Sequence, residues 1–162
     1  MKKVIAVCGK VCAGKSYYSR KLKEEENAVV LSCDEFTKVI FDNNLNEKLD
    51  ETLVRIREYL LIKAEDIVAT GTTVILEWGF WSKKDRDDLN AYLKARQIPC
   101  EWHYIEVSDE IWNKHIEERN QRVLEGKGGS DYRVGNTLRK KLQTRWEDPT
   151  RDEIDVWHVV NE

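Results

Sequence analysis

The sequence is poor in the residues that break structure: 8 glycines and 2 prolines in 162 residues, with no low-complexity run. Wholesale disorder and a string of linker-joined modules are thereby excluded. Long apolar stretches are also missing. The runs Val4 to Cys8, Ala28 to Leu31 and Val74 to Leu76 reach at most five residues, against roughly 20 for a bilayer span. The N-terminus shows no extended apolar h-region and no small-residue cleavage site, so a cytoplasmic protein without membrane association is expected. Cysteine is sparse and unpatterned. Cys8, Cys12, Cys33 and Cys100 form no C-x-x-C pair, and His103, His115 and His158 have no ligand spacing. A zinc site and a disulfide framework are therefore not expected, and the thiols read as small packing residues. Nor is there a large excess of one charge. A net −3 argues against coating nucleic acid or an anionic membrane by bulk electrostatics.

What is present suits one compact domain spanning 1–162, with 41% hydrophobic and 35% charged residues. The charge is unevenly spread. Arg119 to Arg145 holds eight basic residues against Glu125 and Asp131, a local +6 that leaves −9 elsewhere.

Short β-branched runs at Lys3 to Cys8, Ala28 to Ser32, Thr73 to Trp78, Trp102 to Val107 and Val156 to Val160 read as buried parallel strands. Helical patterns lie between them. One follows Gly14 to about Glu26, and another runs from Glu47 to about Thr70, with Leu49, Leu53, Ile56, Leu60 and Ile67 on one face. Ser82 is placed to cap a third helix with Asp85 as capping-box partner, and Ser108 a fourth. The alternation predicts an α/β fold of three layers around a five-stranded, mainly parallel sheet. Glu125-Gly-Lys-Gly-Gly-Ser-Asp131 is the densest glycine stretch and reads as a hinge, making 119–136 a candidate helical lid.

Gly9-Lys10-Val11-Cys12-Ala13-Gly14-Lys15-Ser16 matches G-x-x-x-x-G-K-[ST] between a predicted strand and a predicted helix. Such a loop turns successive N–H groups around a phosphate at a helix N-terminus. Lys15 then serves the β- and γ-phosphates and Ser16 serves Mg²⁺. A nucleoside triphosphate, read as ATP, is the expected ligand. A Ras-type GTPase would need N-K-x-D, and Asn113-Lys-His-Ile116 lacks the aspartate. Large ATPase machines need more chain, so a small phosphotransferase fits the length.

Asp34 follows the second strand, whose carboxyl end faces the ligand crevice of an open parallel sheet. It is the candidate base toward an acceptor hydroxyl; capping the next helix is the competing role. Glu77 ends the third strand, either beside Mg²⁺ or against the acceptor, and Trp78 begins an aromatic cluster that is packing or a stacking wall. Arg86 lies in a helix's first turn, where a cation opposes the dipole, which points to an anionic partner or simply to the surface. Arg119 and Arg122 share a helix face beside the hinge and are candidates for delivering charge to the transferring group.

Taken together, Gly9 to Ser16, Ser32-Cys33-Asp34, Glu77-Trp-Gly-Phe-Trp-Ser82, Arg86, Arg119-Asn-Gln-Arg122 and Trp146-Glu-Asp-Pro-Thr-Arg-Asp-Glu153 resemble the small P-loop predicted kinases grouped with polynucleotide 5′-hydroxyl kinase, zeta-toxin-like kinases and chloramphenicol phosphotransferase. The resemblance implies that Asp34 is the base and that the Arg119/Arg122 region is the nucleotide lid. The third strand ends in Glu where the family usually has Asp, and Asp148-Pro stands where the family has Pro-Pro. The expected activity is γ-phosphoryl transfer from Mg-ATP to a hydroxyl of a small molecule or nucleotide. A polynucleotide 5′-hydroxyl kinase, using Arg133 to Arg145 as a groove, and a non-catalytic nucleotide switch or scaffold are the alternatives.

Overall fold

A computed structural model describes residues 2–42, 48–128 and 133–162. Its centre is one sheet, in which β1 (Val4–Cys8), β2 (Val29–Ser32), β3 (Val74–Gly79), β4 (Cys100–Val107) and β5 (Val156–Val160) run parallel in the order β2-β3-β1-β4-β5. The helices are α1 (Lys15–Glu26), α2 (Cys33–Phe41), α3 (Leu49–Ala69), α4 (Lys83–Ala95), α5 (Asp109–Leu124) and α6 (Asn136–Arg145), with a short 3-10 turn at Arg151–Glu153. The expected α/β architecture and its five strands are thus present.

Alternation along β1 divides the core. Ile5 and Val7 face α1, α5 and α6 together with Ile75 and Ile105. Val4, Ala6 and Cys8 face α3 and α4 with Leu76, Leu93 and Trp102. A strand covered on both faces must be apolar throughout, which is why this run shows no polar alternation. Each such side chain contributes roughly 2 kcal/mol on leaving water. Among the described residues no helix is long and apolar enough to cross a membrane.

Order and direction together set the position of the site. β1 lies between β3 on one side and β4 on the other, so the crevice beyond its carboxyl end is a topological switch point. Pairing slips there between Ala6 and Cys8, and the Gly9 amide donates to the Gly79 carbonyl at 3.1 Å. Gly79 needs its missing side chain. Its φ is +83°, and a Cβ would lie 2.8 Å from Trp81 Nε1 and 3.2 Å from the Gly9 carbonyl.

Both predicted serine caps are formed. The Ser82 hydroxyl accepts from the Asp85 amide with the Asp85 carboxylate returned to the Ser82 amide, and the Ser108 hydroxyl accepts from the Ile111 amide. The basic stretch after the hinge contains α6, which turns Leu142 fully into the core.

Candidate active site

Gly14, at φ +105°, ends the loop and begins α1, so the free amides of the helix N-terminus open toward the sheet's carboxyl edge. Cys12 also sits in the left-handed region, at φ 62°, which costs a side-chain-bearing residue about 1 kcal/mol. The loop is held in that shape from outside: Trp112 Nε1 on α5 donates to the Val11 carbonyl at 2.6 Å, and His115 Nδ1 lies 2.9 Å from the Cys12 carbonyl. Trp112 and His115 escaped the sequence reading because a tryptophan on an apolar helix stripe looks like any core residue.

Lys15 Nζ donates to the Gly9 and Lys10 carbonyls at 3.0 and 2.8 Å, closing a ring of main chain around its ammonium group. Burial lowers its pKa; the charges of Asp34 and Glu77 oppose that fall, and Arg119 adds to it. These groups therefore converge on the cradle. The Ser16 hydroxyl donates to Glu77 Oε1 at 2.7 Å. Burial raises the Glu77 pKa against the pull of Ser16 and Lys15. The donor set suits phosphate and magnesium: inward amides, one ammonium, one hydroxyl and an adjoining carboxylate.

Asp34 lies in the first turn of α2 and lines a cavity of about 800 Å³ with Lys15, Glu77, Trp78, Trp81 and Arg57. The capping role weighed for Asp34 belongs instead to Ser32, whose hydroxyl accepts from the Glu35 amide at 3.2 Å. A side chain already inside the first turn is too far along to cap it. Asp34 is left facing the cavity.

Arg86, a candidate acceptor contact, stands apart from the cavity: it is 1% exposed, its Nε donates to Glu153 Oε1 at 3.0 Å, and its Nη1 donates to the Phe80 carbonyl at 3.0 Å. The anionic partner that its helical position suggested is an internal glutamate from the closing segment.

Arg119 is half-buried on α5, and Arg122 is exposed in that helix's last turn. Of the hinge, residues 129–132 lie outside the described residues. The chain beyond is tethered, not loose: Asn120 donates to the Val134 carbonyl at 3.0 Å and accepts from its amide at 2.7 Å, with Val134 in the core. α6 then crosses to the cavity, where Lys141 and Arg145 both pair with Asp50 of α3.

Arg57 is the cavity residue that the sequence reading missed. It falls between Leu53 and Leu61 at intervals of four on α3, and a cation in that apolar stripe was its one available sign.

A family model described as an AAA domain matches residues 4–132. No curated protein sequence matches the chain. Among solved structures, a candidate kinase of Chloroflexus aurantiacus is 21% identical with TM-score 0.73, over 98% of this chain and 87% of that one. The Kti12 protein of Chaetomium thermophilum, in complex with ADP-AlF3, is 20% identical with TM-score 0.67, over 97% and 88%. The Mycobacterium tuberculosis APS kinase, in complex with AMPPNP and APS, is 14% identical with TM-score 0.65, over 99% and 90%. At such identities the solved structures establish the fold alone, and the family match covers most of the chain: the protein belongs to the AAA domain family.

Proposed function

We propose that this protein transfers the γ-phosphoryl group of Mg-ATP to a hydroxyl of a small acceptor. The observation that carries the reading is that Asp34 lines the same cavity as Lys15 and Glu77. A phosphate cradle alone would serve a switch as well, whereas a carboxylate facing it across an acceptor-sized space serves phosphoryl transfer.

The loop amides and Lys15 would grip the triphosphate, and Ser16, oriented by Glu77, would hold the metal. When bound, Mg²⁺ would supply charge neutralisation to the phosphates. Asp34 accepts a hydrogen bond from the acceptor hydroxyl and takes its proton as the new bond to the γ-phosphorus forms. The bond from that phosphorus to the β-bridging oxygen breaks, and ADP leaves. Arg119 adds positive charge on the cradle side, with Arg122 one turn farther along the same helix.

The polynucleotide alternative needs a basic groove along Arg133 to Arg145. Lys141 and Arg145 are instead turned onto Asp50, which offsets one of their two charges, and Arg139 bonds Asn113, so these side chains are drawn into contacts within the chain.

The test is Asp34→Asn. Nucleotide affinity is expected to stay within a few-fold of wild type while labelled γ-phosphoryl transfer falls by about 10²- to 10⁴-fold. Unchanged turnover would remove Asp34 as the base, and wild-type protein that binds Mg-nucleotide but phosphorylates no hydroxyl compound would favour the switch.

A further inference from the structure

The α3 wall of the cavity carries a cation in an apolar setting. Arg57 stands among Leu53, Ile56 and Leu60, and its Nε is buried with no hydrogen-bond acceptor among the described residues. Arg57 as a whole is half-buried, but taking that one guanidinium nitrogen out of water is costly unless an acceptor replaces the water. The Cys33 thiol, at most a weak acceptor, lies near the guanidinium.

Most other charges on the cavity wall are already engaged. Lys141 and Arg145 share the one carboxylate of Asp50. Asp85 is occupied in the Ser82 capping box, and Glu77 in the Ser16 hydrogen bond. Arg57 acts on the Cys33 thiol, the chain neighbour of Asp34, and lines the same cavity as the candidate base. Trp78 and Trp81 supply an apolar wall to the same space.

Resting on the phosphotransferase reading above, we infer that the acceptor is a hydroxyl compound bearing its own carboxylate or phosphate, and that Arg57 receives this anion while Asp34 receives the hydroxyl. A guanidinium presents a planar fork that matches either oxyanion with two parallel hydrogen bonds, which a neutral acceptor cannot return. Such a contact fixes the hydroxyl relative to Asp34 and makes acceptor charge the basis of selection.

The test uses the full chain and two trios differing in charge: glycerate, glycerol 3-phosphate and glycerol; gluconate, glucose 6-phosphate and glucose. Labelled γ-phosphoryl transfer is measured for each, with calorimetric titration of Mg-AMPPNP as an independent control. In at least one trio an anionic member should exceed the neutral one in kcat/KM by tenfold or more, and which member does so separates carboxylate from phosphate. Arg57→Gln should raise KM for that compound roughly 10- to 100-fold with a smaller change in kcat, leaving the neutral compound unaffected. Arg57→Lys should recover part of the loss, and it carries the comparison if the Gln variant does not fold. The inference is overturned if neutral members are used as well, if no anionic member is phosphorylated, or if the preference survives in Arg57→Gln. Loss of Mg-AMPPNP binding by the wild type would overturn the phosphotransferase reading itself, whereas bound nucleotide with transfer to neutral acceptors would overturn only the role of Arg57.

Discussion

The Ser16 hydroxyl and the Glu77 carboxylate meet at 2.7 Å across 61 residues of chain, joining the start of α1 to the carboxyl end of β3. Parallel pairing places β3 beside β1, so a residue ending the third strand reaches the first residues of the helix after the first. Glu77→Gln preserves size and the acceptor for Ser16 but removes the charge. Turnover is expected to fall on the order of 10- to 100-fold with little change in melting temperature, as for other groups that orient metal ligands. A magnesium titration of activity, shifted to higher concentration, checks it.

Arg86 and Glu153 form a buried pair that connects α4 to the segment before β5. Breaking such a pair from one side costs about 3–5 kcal/mol, because the remaining charge is stranded. Arg86→Met should lower the melting temperature by roughly 10 °C for a domain of this size. Arg86→Met with Glu153→Leu should recover much of that, and acceptor KM should not move in the double variant. Thermal scans with parallel kinetics distinguish this from a substrate-binding role.

Trp112 holds the phosphate loop by the indole bond to the Val11 carbonyl. Trp112→Phe keeps most of the buried area but strands that carbonyl, at about 1–3 kcal/mol. A lower melting temperature and weaker nucleotide binding are expected together, since the loop loses an outside constraint. Calorimetry on the variant with Mg-AMPPNP reads both.

Lys3 and Glu101 predict a pH dependence with two limbs. The hydrogen bond from Lys3 is the main influence holding the Glu101 carboxyl below its usual range, and the same bond leads in raising the Lys3 ammonium. A depressed acid stabilises above its unfolded pKa and loses that contribution as pH falls through the folded value. A raised base stabilises below its unfolded pKa and loses it as pH rises through the folded value. Glu101→Gln should therefore be most destabilising between the reference values of 4.5 and 10.5, with the difference shrinking outside that window. Denaturant unfolding across pH measures it.

The sequence alone determined the alternation of strand and helix, because burial on both sheet faces and the 3.6-residue period leave local marks in Val4 to Cys8 and in the Leu49 to Ile67 stripe. It also determined the phosphate loop, whose glycines and lysine are neighbours in the chain. Only the tertiary structure decided where Arg86 and Arg57 stand. Both are arginines on helices whose local signs, a first-turn position for Arg86 and an apolar stripe for Arg57, do not name the partner. One meets Glu153 from 67 residues away, and the other opens onto a cavity assembled from α2, α3, β3 and α6. Strand order brings those segments together, and a guanidinium's role follows from the charge it meets across space more than from its neighbours in the chain.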